Sequence, residues 1–94
     1  MNILIIGSGA REHAIARALH KSPKSKFIYC LASNNNPGIK KLCCDMQVID
    51  INNNELVVQY SKKNNISLAI IGPENPLANG VVDMLGEAGI QAVG

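Results

Sequence analysis

Aromatic residues are nearly missing from this 94-residue chain, which has one Phe, two Tyr and no Trp, 3% in all. Hydrophobic residues still make up 47% of it, so the core must come from Ile, Leu, Val and Ala, the composition of a buried parallel sheet covered by helices. An excess of one charge sign is missing too. Nine basic and seven acidic residues are spread along the chain for a formal net charge of +2, which gives no field able to hold a polyanion and argues against nucleic acid as a partner. Met1 to Ile6 is apolar but leads straight into a glycine turn, with no basic segment, long apolar stretch or small-residue cleavage site. Neither a signal peptide nor a membrane span is expected. Cysteine is sparse: Cys30, Cys43 and Cys44 form no C-x-x-C pair and leave one thiol over in any internal disulfide scheme, which fits a reducing cytoplasm. Neighbouring Cys43 and Cys44 lack the further thiolates and histidines that a metal site needs, and read as packing residues. At this length the chain can hold one hydrophobic core, hence one domain.

What is present is a regular alternation of strand and helix signals. Asn2 to Ile6 is an unbroken apolar run ending at Gly7-Ser8-Gly9, the way a central parallel strand enters a turn. From Ala10 the apolar positions Ala14, Ile15, Ala18 and Leu19 repeat at helical spacing opposite a polar stripe of His13, Arg17 and Lys21, and Pro23 stops the helix. Lys26 to Leu31 reads as a second strand, Ile39 to Cys43 as a short helical piece, and Met46 to Ile49 as a third strand. Asn52 or Asn53 can cap a helix with Leu56, Val57 and Tyr60 facing inward, and Asn64-Asn65 can close it because Asn tolerates the left-handed conformation. Ser67 to Ile71, bounded by Gly72-Pro73, is a strand buried on both faces that should lie beside the first. Asn75 and Pro76 then start a helix carrying Leu77, Val81, Val82 and Leu85 up to Gly89, and Ile90 to Val93 begins a fifth strand. This order predicts an α/β fold of three layers, a doubly wound parallel sheet of Rossmann-like type. The chain stops with its last strand barely finished and reads as a truncated piece of a longer one.

Two constellations could carry chemistry. Gly7-Ser8-Gly9-Ala10-Arg11-Glu12 sits at a strand-to-helix junction, where backbone N–H groups and the helix dipole favour an anion. Dinucleotide binding is disfavoured, since Glu12 fills the third glycine position of G-x-G-x-x-G, and Ala32 and Ser33 stand where a ribose-binding acid is expected. A tight turn without a ligand is the plain alternative. Arg11 and Glu12 pair a base with an acid and could bind a ligand bearing an amine and a phosphate, or could simply be solvated first-turn residues. His13 and His20, seven apart, lack the i, i+4 spacing of two ligands to one metal and read as surface or packing residues. The second constellation, Gly72-Pro73-Glu74-Asn75-Pro76-Leu77, follows the fourth strand, so Glu12 and Glu74 should flank the crevice between neighbouring strand ends.

Ile3-Leu-Ile-Ile-Gly-Ser-Gly-Ala-Arg-Glu-His-Ala14 resembles the opening G-x-G-G-R-E-H-A signature of the phosphoribosylamine–glycine ligase (glycinamide ribonucleotide synthetase) family. Asn36-Pro37-Gly38 is similar to that family's second loop, and Ile71-Gly-Pro-Glu-Asn-Pro-Leu77 with Gly80-Val-Val-Asp83 to its G-P-E-x-P-L…G-V-V-D segment. The three motifs stand in the family's order and spacing and span nearly the whole chain. The resemblance implies that residues 1–94 form the N-terminal pre-ATP-grasp domain of an enzyme that activates glycine with ATP as an acyl phosphate, which the amine of 5-phosphoribosylamine attacks to give glycinamide ribonucleotide in purine synthesis. It further implies that this domain supplies one wall of the phosphoribosylamine site through Gly9, Arg11, Glu12, Asn36, Gly38, Glu74 and Leu77. No catalytic or metal-ligating residue is implied in this chain. ATP and Mg2+ or Mn2+ belong between later domains, the ATP-grasp and C-terminal portions, which lie outside this sequence and are the implied partner of this one.

Two departures from the family pattern stand out. Ala10 replaces a glycine, adding a methyl group near any bound phosphate while leaving negative-φ conformations open. Asn34 and Asn35 take the Pro and Gly places of the second loop, where Asn can replace a left-handed Gly but not the stiffness of Pro. Two other readings remain beside the ligase domain: a stand-alone sugar-phosphate or nucleotide-binding module without catalysis, and a remnant that docks on a separate ATP-grasp chain. The 94 residues alone are expected to be inactive as a ligase.

Overall fold

A computed structural model of the chain describes residues 1–22, 26–72 and 80–93. The elements run β1 (Asn2–Ile6), α1 (Ala10–Lys21), β2 (Phe27–Ala32), α2 (Pro37–Leu42), β3 (Asp45–Val48), α3 (Asn54–Lys63), β4 (Leu68–Ile71), α4 (Val81–Glu87) and β5 (Gln91–Val93). The five strands pair in the order β3-β2-β1-β4-β5, every pair parallel. The expected adjacency of the first and fourth strands is present, with Ile6 opposite both Leu31 and Ile71.

Because strand side chains alternate between faces, the apolar run of β1 feeds two cores. Leu4 and Ile6 join Leu31, Val57, Ala69, Ile71, Val81 and Leu85 on the α3–α4 side. Ile5 joins Ala16 and Ile28 on the α1 side, where Cys30 and Ala32 pack against Ile39 of α2. A sheet between two helical layers is the three-layer arrangement expected of an aliphatic sequence with unbroken apolar strands. Among the described residues no helix is long and apolar enough to cross a membrane.

Local chemistry explains most of the helix ends. Asn36 caps α2, its side-chain oxygen accepting from Gly38 N at 3.0 Å and Ile39 N at 3.2 Å, and Pro37 follows in the first turn where its missing N–H costs nothing. The helix therefore starts two residues earlier than hydrophobic spacing suggests. Asn53, of the two candidate caps, accepts from Leu56 N at 3.2 Å, and Asn65 closes α3 in the left-handed region at φ 53°. Pro23, Glu74, Asn75, Pro76 and Leu77, assigned above to a helix stop, a site, a cap, a first turn and a buried face, lie outside the described residues.

Three helix faces are rotated from the expected ones. On α1 the buried line is Glu12 and Ala16 with Ile15 and Leu19 partly covered, while Ala14 and Ala18 are exposed. A polar residue, Glu12, thus leads the inward face, which an apolar count cannot detect. On α3 Val57, Val58 and Ser61 are buried and Leu56 is 40% exposed; Ser61 is accommodated because its hydroxyl donates to Val57 O at 2.8 Å. On α4 Val81 and Leu85 are buried but Val82 is 38% exposed.

Leu85→Ala should therefore lower stability by about 2–5 kcal/mol in denaturant unfolding, whereas Val82→Ala should change it by less than about 0.5 kcal/mol. Burial, then neighbouring Cys43 and Glu12, pushes the Cys30 thiol up from its ordinary 9.0 to about 12. An unfolded chain loses that proton near pH 9, the folded one only near 12, so stability present below pH 9 drains away as pH rises across that window. Burial and the hydrogen bond of Tyr60 Oη to Asp45 at 2.7 Å raise Tyr60 in the same direction. At pH 10.5 the Cys30 contribution alone should be roughly 2 kcal/mol, so Cys30→Ala should flatten the alkaline limb of a stability–pH curve; equal limbs would contradict the account.

Candidate functional site

The carboxyl ends of β1 and β4 carry Gly7 and Gly72, which the register sets side by side: Gly7 N donates to Leu31 O at 2.8 Å and Gly72 N to Ile6 O at 2.9 Å. Between them lies the side chain of Glu12, at 0% exposure. A Cβ on Gly7 would stand 2.7 Å from Glu12 Oε1, and one on Gly72 would stand 2.8 Å from its Cδ. Gly7 also needs φ +128°, a region closed to most side chains. Glu12 is the third residue of α1, and its Oε1 accepts the N–H of the cap residue Gly9 at 3.0 Å. That is the carboxylate half of a capping box, with glycine at the position that would supply the other half.

Glu12 is thus neither a solvated first-turn residue nor an open wall of the crevice. It fills the crevice between β1 and β4, and it takes one of the backbone donors that an anion would use. The helix still presents donors, because the first i→i−4 bond of α1 is His13 N to Gly9 O at 3.0 Å, so the amides of Ala10 and Arg11 precede the hydrogen-bonded ladder. The Arg11 side chain is exposed.

An open cavity of about 480 Å³ lies one strand further along, lined by Gly7, Ser8, Gly9, Ser33, Asn34, Asn35, Asn36 and Ile51. Asn36 ties its two main walls together: while its oxygen caps α2, its Nδ2 donates to Ser8 O at 2.9 Å. Under the turn the Cys30 thiol donates to Gly7 O at 3.3 Å. Gly38 sits in the first turn of α2 against His13, and a Cβ there would overlap the imidazole, 2.8 Å from its Nε2. His13 is thereby a packing residue that sets how closely α1 and α2 approach.

Of the seven site residues expected from sequence, Gly9 and Asn36 line this cavity, Gly38 supports its α2 wall through His13, Arg11 lies exposed at the start of α1, and Glu12 is buried behind the turn. Glu74 and Leu77 lie outside the described residues. Gly7, Ser8, Ser33, Asn34, Asn35 and Ile51 line the cavity without being among those seven; Gly7 and Ser8 stand in the glycine turn and Asn34 and Asn35 in the second loop, so their position was legible, while Ile51 arrives through the strand order and had no local signal. Among the described residues the cavity lining carries hydroxyl, amide and backbone groups with the apolar Ile51, and no charged side chain. Such a surface suits the hydroxyls and amides of a polar ligand, and the α1 terminus beside Gly9 offers backbone amides to an anionic group. Among the described residues, no group of three or more His, Cys, Asp or Glu could hold a metal ion.

The family described as phosphoribosylglycinamide synthetase, N domain, matches residues 1–94. Proteins named phosphoribosylamine–glycine ligase from Methanosarcina barkeri, Methanocaldococcus jannaschii and Listeria innocua are 50%, 48% and 41% identical to it. Each alignment covers 100% of this chain but 22%, 21% and 22% of the respective relative, so the chain spans about a fifth of the length of these proteins. Matched from its first residue to its last, the chain belongs to the phosphoribosylglycinamide synthetase N-domain family.

Proposed function

We propose that the chain is the substrate-binding N-terminal domain of a ligase that joins glycine to 5-phosphoribosylamine at the expense of ATP, in purine synthesis in the cytoplasm. The observation that carries the reading is the convergence of two of the three family-like motifs on one cleft whose described lining offers hydrogen-bonding groups: Gly9 and Asn36 line it, and Asn36 binds the two motifs to each other through Ser8 O. Ribose hydroxyls and the amide of the product glycinamide ribonucleotide suit the Ser and Asn groups there, and the 5-phosphate suits the amides of Ala10 and Arg11 with the Arg11 guanidinium. Gly38, Glu12, Glu74 and Leu77 complete the proposed site, with Glu74 and Leu77 carried on sequence alone.

The described residues do not fit ATP with a divalent metal. They offer no group of three or more His, Cys, Asp or Glu for the ion. Activation of glycine falls to the ATP-grasp portion of the same enzyme, the proposed partner of this domain. What this chain can do is orient one reactant. Holding the ribose and phosphate fixes where the amine sits, which is a contribution of geometry to rate.

Titration of the chain with glycinamide ribonucleotide, the stable product, should shift backbone amide NMR signals of Ser8 to Arg11, Ser33 to Asn36 and Ile51, while ATP with magnesium leaves them unmoved. Shifts confined to the Lys40-Lys41 or Lys62-Lys63 surfaces would contradict the placement of the cleft.

A further inference from the structure

Glu12 belongs to the motif assigned above to substrate binding, yet its side chain is fully buried, and it is not among the residues lining the cleft, whereas Gly7 and Gly9 are. The turn between those two glycines has little stiffness of its own, since glycine is the least restricted residue and gives up the most freedom when fixed. Among the described residues five hydrogen bonds hold it. Gly7 N to Leu31 O at 2.8 Å, the Cys30 thiol to Gly7 O at 3.3 Å and Asn36 Nδ2 to Ser8 O at 2.9 Å all come from β2 and the loop beyond it. The other two come from α1: His13 N to Gly9 O at 3.0 Å, and Gly9 N to Glu12 Oε1 at 3.0 Å, where the donor is the turn and the acceptor a side chain. The same carboxylate abuts Gly72, so closely that a Cβ there would stand 2.8 Å from its Cδ.

We propose that Glu12 is a positioning residue: its carboxylate holds the Gly7–Gly9 turn in the shape that walls the cleft, ties that turn to the end of β4 at Gly72, and acts on the ligand only through the turn. The inference deepens the proposed function and rests on it for the identity of the ligand, though not for the state of the turn. It separates Glu12 from a carboxylate that meets the ligand's amine, because a contacting group depends on its charge and a positioning group on its shape and its acceptor oxygen. Glutamine keeps both of the latter.

The test measures glycinamide ribonucleotide affinity and Gly9 amide hydrogen exchange in the unaltered chain and in Glu12→Gln, Glu12→Ala and Gly72→Ala, with Leu4 and Leu31 amides reporting an intact sheet. Glu12→Gln should bind within about threefold of the original and keep Gly9 protected, whereas Glu12→Ala should lose about tenfold or more in affinity and speed Gly9 exchange, the cost of a wall no longer preorganised. If Glu12→Ala does not fold, Gly72→Ala, which displaces the carboxylate without removing it, should give the same two changes in smaller measure. Loss of affinity in Glu12→Gln as large as in Glu12→Ala, with Gly9 still protected, would overturn the proposal in favour of direct charge contact. Unaltered Gly9 exchange in Glu12→Ala would overturn it outright. If the unaltered chain does not bind the nucleotide at all, the proposed function fails, and Gly9 exchange alone still decides the role of Glu12.

Discussion

A carboxylate removed from water must recover in the protein the hydrogen bonds it gave up, at a cost of several kcal/mol where it does not. This chain places one such group, Glu12, at the centre of its sheet edge and arranges three glycines about it. Gly9 supplies an N–H; Gly7 and Gly72 leave the space the Glu12 carboxyl group occupies, where a Cβ would stand 2.7 Å from Oε1 and 2.8 Å from Cδ respectively. The parallel register of β1 with β4 brings the two spacer glycines together, and the entry of α1 directly after the turn brings the carboxylate over them. Sheet register, helix entry and turn conformation therefore meet at one side chain, whose hydrogen bond to Gly9 reaches the residue that also lines the cleft.

This arrangement also decides where a ligand can go. In a doubly wound sheet the crevice opens where strand order reverses, between β1 and β4 in this topology. Here the protein's own side chain fills that place, and the accessible volume lies over β1 and β2, bounded by the loops after β1, β2 and β3. In the glycine turn that looks like a dinucleotide fingerprint, an internal carboxylate accepts the N–H of Gly9. The proposed ligand, small and polar, suits the hydroxyl and amide groups that the described residues bring to this cleft.

Much of the fold was legible in the sequence because its signals are local. Apolar runs ending in Gly7 and Gly72, the capping residue Asn53, and the left-handed Asn65 each fix an element or its end without reference to distant residues, whereas the cap at Asn36 was not read and α2 begins two residues before the expected Ile39. Helix faces were less legible, for a physical reason: Glu12 and Ser61 are polar residues that face inward because each finds a hydrogen bond there, so counting apolar positions rotated α1 and α3 away from their true orientation. The site was legible as a set of motifs but not as a surface. Nothing local tells that Gly38 is small to admit His13, that Asn36 serves two loops at once, or that the carboxylate of Glu12 points inward; each follows from a contact between residues brought together by strand order.

The dependence of Gly72 on Glu12 is most directly measured by a double-mutant cycle on folding stability. Gly72→Ala in the unaltered chain should cost about 1–3 kcal/mol, the usual range for overpacking a filled site, and in the Glu12→Ala background less than about 0.5 kcal/mol, because the methyl group then enters vacated space. An equal cost in both backgrounds would mean that Gly72 is small for some other reason, and the account of the sheet edge as a seat built for one buried carboxylate would be wrong.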